Sequence, residues 1–212
     1  MSTHTRWALA IGIGLFVIGS PLMYQRYRLT TYKRLRAVAP GKLYRGGQMT
    51  AEGLADVIRE LGIRTVINVQ NEFPDPDLRR SFLDGRTVKE SAICAANNAR
   101  YILLEPDLLS PSTVPPNRPK VIDQFLRLVD DPANYPILLH CKAGLHRTGV
   151  LVAVYRMEYE GWSAAAAIRD LKENGFGDDA ATAANDYIMQ YILTYQPRNE
   201  RSPAMAQGAA RP

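Results

Sequence analysis

The sequence predicts an α/β fold: a mainly parallel central sheet flanked by helices, preceded by a single N-terminal transmembrane helix. Three observations predict it. Short apolar or β-branched runs, RTVINV (64–69), YILLE (101–105) and PILLH (136–140), alternate with longer stretches of helical spacing. Such alternation favours parallel strands whose connecting helices cover both faces of the sheet. The third observation is the charge-free stretch from Trp7 to Tyr24, which is about 27 Å long as a helix and so matches the hydrocarbon thickness of a bilayer.

In that first segment Gly12, Gly14, Gly19 and Pro21 weaken a helix in water but are tolerated in lipid. Trp7 and Tyr24 stand at its ends, where amphipathic rings suit the membrane interface. Five basic residues follow by Arg36, which by the positive-inside rule places the rest of the chain in the cytoplasm. A cleaved signal peptide is the competing reading, but no small-residue cleavage pattern follows the apolar run. The expected organisation is an anchor and basic juxtamembrane segment over 1–36, a globular domain over 37–196 and a disordered tail over 197–212.

Within the body, a first strand is expected at Leu43–Arg45. TAEGLADVIRELG (50–62) has apolar residues at helical spacing, with Thr50 as N-cap and Gly62 as stop. RTVINV is a buried strand, NEFPDPD (71–77) a loop, and 78–96 a helix with a break near Gly85. YILLE is a strand, and the Pro- and Ser-rich PDLLSPSTVPPNRP (106–119) a loop. KVIDQFLRLV (120–129) is a one-faced helix and PILLH a strand. Helices at about 148–160, 163–174 and 180–194 complete the body.

Composition narrows the function. The chain has 212 residues and a formal charge of +5. Eight basic and no acidic residues fall in 1–51, which leaves 18 basic against 21 acidic residues in the remainder. The basicity belongs to the N-terminal region, so it does not argue for a nucleic-acid partner. Two cysteines, Cys94 and Cys141, make no disulfide framework, and three histidines make a metal site unpromising. The GIG within the apolar run lacks the βαβ context of a dinucleotide site.

CKAGLHRT (141–148) follows a strand at the sheet end where ligands of such folds bind. A helix starting near Arg147 would point its N-terminal N–H groups into this loop, and Gly144 would let the backbone curl into an anion cradle. Arg147 adds a planar two-pronged donor for phosphate oxygens. The same field would hold Cys141 as a thiolate, an activated nucleophile. Thr148 could donate its hydroxyl to the sulfur or the phosphate. Cys94, in SAICAANNA on an apolar face, reads as an inert buried thiol.

HCKAGLHRTG (140–149) resembles the H-C-x5-R-[S/T] signature of the cysteine-dependent protein tyrosine and dual-specificity phosphatases, most nearly the small bacterial-type dual-specificity branch. The likeness extends loosely over about residues 40–195, through LYRGGQ, RTVINV and the helix carrying GWSAAAAI. It implies a protein tyrosine phosphatase-like fold and hydrolysis of phosphomonoesters through a phosphocysteine, on phosphotyrosine, phosphoserine or phosphothreonine proteins. Cys141 would attack phosphorus, Arg147 would hold the phosphoryl oxygens and Thr148 would assist breakdown of the intermediate. The backbone amides of Lys142, Ala143, Gly144, Leu145, His146 and Arg147 would bind phosphate, and His140 would support the loop from behind. The family's general acid is an Asp on a loop after an earlier strand, here Asp107, with Glu105 as the alternative and Asp75 and Asp77 as outside candidates. The reaction needs no metal or organic cofactor. CKAG is also similar to family members acting on inositol lipids or inositol phosphates. A non-catalytic phosphate-binding module and a sulfur-transfer enzyme are the remaining readings.

Overall fold

The computed structural model describes residues 2–70, 72–105, 119–177 and 186–198. Its elements run α1 (Thr3–Thr31), β1 (Arg36–Ala39), β2 (Leu43–Gly47), α2 (Ala51–Leu61), β3 (Thr65–Asn68), β4 (Asp77–Arg79) and β5 (Thr87–Lys89), then α3 (Glu90–Ala96) and β6 (Arg100–Leu103). They continue with α4 (Lys120–Asp130), β7 (Ile137–Cys141), α5 (His146–Tyr159), α6 (Ala164–Glu173) and α7 (Asp186–Thr194).

The main sheet has the order β1-β2-β7-β3-β6. Strands β2, β7, β3 and β6 are parallel, and β1 pairs antiparallel with β2 at the edge. The sheet is therefore mixed, with a parallel core. β7 lies at its centre and is buried at every position. Alternation sends Ile137, Leu139 and Cys141 to one face, where they pack with Val121, Phe125 and Leu126 of α4 and Leu151 and Val154 of α5. Leu138 faces the other layer, with Leu54, Val57 and Ile58 of α2 and Cys94 of α3. α6 and α7 cover the outer side of α5 through Ala167, Leu171, Ile188 and Ile192.

Local signals explain the helix ends. The Thr50 hydroxyl accepts from the Gly53 N–H at 3.1 Å, and Gly62 closes α2 in the left-handed region at φ 63°. α1 runs unbroken through Pro21, and its apolar side chains stay largely exposed. It is the one helix among the described residues long and apolar enough to cross a membrane.

Two expectations are corrected. Residues 78–96 are not one helix: β4 and β5 form a hairpin, and only 90–96 is helical. The turn chemistry outweighs the helical spacing. Asp84 accepts from the Arg86 N–H at 3.0 Å and Ser81 Oγ accepts from the Asp84 N–H at 3.0 Å, while Thr87 and Val88 favour extended backbone. The expected strand at Leu43–Arg45 is present as β2, but it is not the first, because β1 precedes it and RAVA is too short to declare itself by periodicity. Of the expected tail, Pro197 and Arg198 are described, and Arg198 is tied to Asp130 at 2.7 Å. Residues 199–212 lie outside the described residues.

Candidate active site

The loop between β7 and α5 is built by the sheet's register. Cys141 ends the central strand opposite Gly47 of β2, while His140 lies opposite Gly46 on one side and Asn68 on the other. α5 then begins at His146, one residue before the expected position. Gly144 adopts φ 76°, and a Cβ there would lie 2.5 Å from the Gly46 carbonyl oxygen, so neither the conformation nor the space admits a side chain. The Gly144 N–H donates to the Cys141 sulfur at 3.2 Å. The outward carbonyls have partners: Lys142 O accepts from the Gln48 N–H at 3.2 Å, and Gly144 O from Nη2 of the buried Arg45 at 2.8 Å.

Burial alone would raise the Cys141 pKa. The Thr148 hydroxyl and N–H, the Gly144 N–H and the nearby His140 outweigh it, and the thiol ionises below its ordinary range. His140 is itself buried against Glu90, Nε2 to Oε1 at 2.8 Å, both side chains 2% exposed. Burial disfavours the imidazolium, yet the Glu90 carboxylate and the neighbouring Cys141 prevail and hold the pKa above the ordinary histidine value. Behind the sulfur, then, stands a buried imidazole whose charged form is favoured by a carboxylate on α3.

Arg147 presents its fork to Glu72, with Nη1–Oε2 at 2.8 Å and Nη2–Oε1 at 2.9 Å. This bidentate geometry is the one a phosphoryl group offers. The Arg147 hydrogen bonds hold the Glu72 carboxyl below the usual carboxylate range. Lys142 is exposed, with its ammonium 5.9 Å from the Phe73 ring centroid. His146 packs edge to face on Phe176 at 5.6 Å, which pins the start of α5 to the segment after α6. Ala143 is half-buried at the loop's outer turn, and Leu145 is buried beneath it.

The structure thus brings Cys141, Gly144, Arg147, Thr148 and His140 into one loop and its backing. Asp107 lies outside the described residues. Glu105 is exposed just beyond β6. Asp75 accepts from the Ser91 N–H at 3.0 Å and its hydroxyl at 2.7 Å, and Asp77 pairs with Lys89 at 2.9 Å, so both carboxylates serve the hairpin and the start of α3. Sequence reasoning missed Glu90, Glu72 and Arg45. Arg45 stands in the quoted LYRGGQ, whereas Glu90 and Glu72 carried no local signal.

Comparison with known proteins gives the class. A model described as "Tyrosine phosphatase family" matches residues 31–203, and the chain belongs to that family of cysteine-dependent phosphatases. The dual specificity protein phosphatase TpbA of Pseudomonas aeruginosa is 46% identical over 44 residues, 21% of this chain and 20% of that protein. The inositol diphosphatase DSP3 of Arabidopsis thaliana is 28% identical over 132 residues, 62% of this chain and 58% of that protein. The chain therefore spans between about a fifth and three fifths of these two relatives. The core catalytic domain of the PP-IP phosphatase SIW14 from S. cerevisiae shares the fold, with TM-score 0.60 and 19% identity over 84% of this chain and 94% of that one.

Proposed function

We propose that the protein is a phosphomonoester hydrolase acting through a phosphocysteine on phosphotyrosine, phosphoserine or phosphothreonine proteins. It would be anchored by residues 7–24 with its catalytic body in the cytoplasm. The observation that carries the reading is the Cys141 sulfur, buried yet acidified by Thr148, the Gly144 N–H and His140. A buried thiolate needs such a surround, and Arg147 at the start of the following helix adds a two-pronged donor for phosphate oxygens.

The sulfur attacks phosphorus as the P–O bond to the leaving group breaks. Arg147 and the loop amides take up the charge on the equatorial oxygens. To bind them, Arg147 exchanges the two oxygens of Glu72 for two of phosphate. The leaving oxygen takes a proton from an acid, for which Asp107 remains the proposal. Water then gives a proton to that acid, now ionised, and attacks phosphorus as the P–S bond breaks, while Thr148 donates a hydrogen bond to the departing sulfur. His140, paired with Glu90, stays behind the loop and transfers no proton.

A second substrate class, inositol phosphates or phosphoinositides, is favoured by one feature. Lys142, Lys33 and Arg34 bring three cations close to the loop. The test is turnover of an aryl phosphate, then of phosphopeptide and phosphoinositide panels, by the full chain. Cys141→Ser is expected to lower kcat by at least ~10³-fold while still binding phosphate. Asp107→Asn is expected to slow poor leaving groups most. Unchanged turnover in Cys141→Ser would end the phosphatase reading.

A further inference from the structure

The exit of α1 packs on the catalytic body, and its contacts lead to the phosphate loop. Thr31 is fully buried. Its carbonyl sits so close to α2 that a Cβ on Gly53 would come within 2.0 Å of the oxygen. Tyr32 donates its hydroxyl to Asp56 of α2 at 3.1 Å. The Lys33 carbonyl accepts from the Gly47 N–H at 2.7 Å, at the end of β2 opposite Cys141. Arg34 holds φ 55°, a left-handed backbone rare for a residue with a side chain, and its Nη1 donates to the Ala143 carbonyl at 3.0 Å across 109 residues of sequence.

That last contact fits the chemistry of an anion cradle. For loop amides to face a phosphate, the intervening carbonyls must turn away and find other donors. Three consecutive carbonyls do so: Lys142 O to the Gln48 N–H, Ala143 O to Arg34 and Gly144 O to Arg45. The Ala143 donor comes from the segment leaving α1, and the matched family region begins there, at residue 31.

We infer that residues 31–34, the exit of the N-terminal helix, are a positioning element of the phosphate loop, so that the catalytic unit begins near Thr31 and not at 37. The inference rests on the phosphatase reading for its consequence in turnover, but not for its geometry. Arg34 orients the Ala143–Gly144 peptide and the Lys33 carbonyl braces the Gly47 end of β2. Docking of α1 on α2 holds both in place.

The experiment uses the full chain in detergent with Arg34→Gln, Arg34→Lys and Gly53→Ala. Inorganic phosphate is the probe, read by its protection of Cys141 from iodoacetamide, beside kcat, KM and Tm. Arg34→Gln is expected to weaken phosphate protection and raise KM about 5-fold with kcat little changed, the size of one lost hydrogen bond. The loss persists in about 0.5 M salt, where an exposed charge is screened, and Arg34→Lys recovers part of it. Gly53→Ala changes no charge and produces the same loss by displacing Thr31. Should Gly53→Ala fail to fold, Arg34→Gln alone decides. Unaltered phosphate protection and KM in Arg34→Gln, or a loss that vanishes in salt, overturns the inference. If the unmodified chain binds phosphate but turns over no phosphomonoester, the functional proposal fails while protection still reads the positioning.

Discussion

Cys94 and Cys141 are both free thiols buried in the same body, 0% and 4% exposed, and they ionise in opposite directions. Burial, with the Glu90 and Asp75 charges, pushes the Cys94 thiol up to about 12. Cys141 is pushed down although its burial penalty is also the largest single influence. The difference lies in what each sulfur faces. Cys94 sits within α3, where the helix consumes its own N–H groups and the nearest charges are carboxylates. Cys141 stands between a strand end and a helix start, with the Gly144 N–H donating to it, Thr148 lowering its pKa and His140 behind. Dipole direction decides reactivity here, more than depth.

The largest test of this contrast is alkylation. Cys141 is expected to react with iodoacetamide at neutral pH at least ~10³-fold faster than Cys94, since a thiol near 12 is almost wholly protonated there. Peptide mapping of the labelled site measures it, and comparable labelling of Cys94 would break the comparison.

Glu90→Gln sharpens it next. Removing the carboxylate partner of the buried His140, whose pKa is raised, is expected to cost about 3 kcal/mol by chemical denaturation at a pH where the imidazole is protonated. It also moves the pH of half-maximal Cys141 alkylation upward. The His140 pair contributes fully below the ordinary histidine value of about 6.5 and is lost as pH rises through the raised one. The destabilisation is therefore larger at about pH 6 than at about pH 9. The Cys141 thiolate behaves oppositely, contributing fully above the ordinary thiol value of about 8.5 and fading as pH falls through the depressed one.

The smallest effect concerns Arg147. Its pair with Glu72 is partly exposed, 26% and 47%, so Glu72→Gln is expected to tighten inorganic phosphate binding only about 2- to 5-fold. Titration calorimetry on the full chain checks it, and weakened binding would show that Glu72 orients Arg147 instead of competing for it.

The loop was readable because its parts are contiguous. One peptide supplies the proposed nucleophile Cys141, the left-handed Gly144, the Arg147 guanidinium and the Thr148 hydroxyl, and the helix that follows begins within it. α2, α4, α5 and α6 were readable from apolar spacing and caps such as Thr50 and Gly62. The hairpin of β4 and β5 was hidden because a stretch of mixed spacing around Gly85 suits a broken helix as well as a turn, and only the Asp84 and Ser81 hydrogen bonds distinguish them. Glu90, Glu72 and Arg34 were hidden for another reason. Each is an ordinary surface-type charge in its own segment and meets the loop only through pairing at separations of 50, 75 and 109 residues.

By itself the amino-acid order determined the strand-and-helix alternation, the charge-free N-terminal stretch and the peptide 141–148 between a strand and a helix, because each depends on neighbours within a few residues. The tertiary structure alone decided which groups back that peptide. It set Glu90 behind His140, Glu72 across from Arg147, and Arg45 and Arg34 on the outward carbonyls. The physical reason is that hydrogen bonds and ion pairs act over a few ångströms of space, and only folding brings those distant segments within that reach.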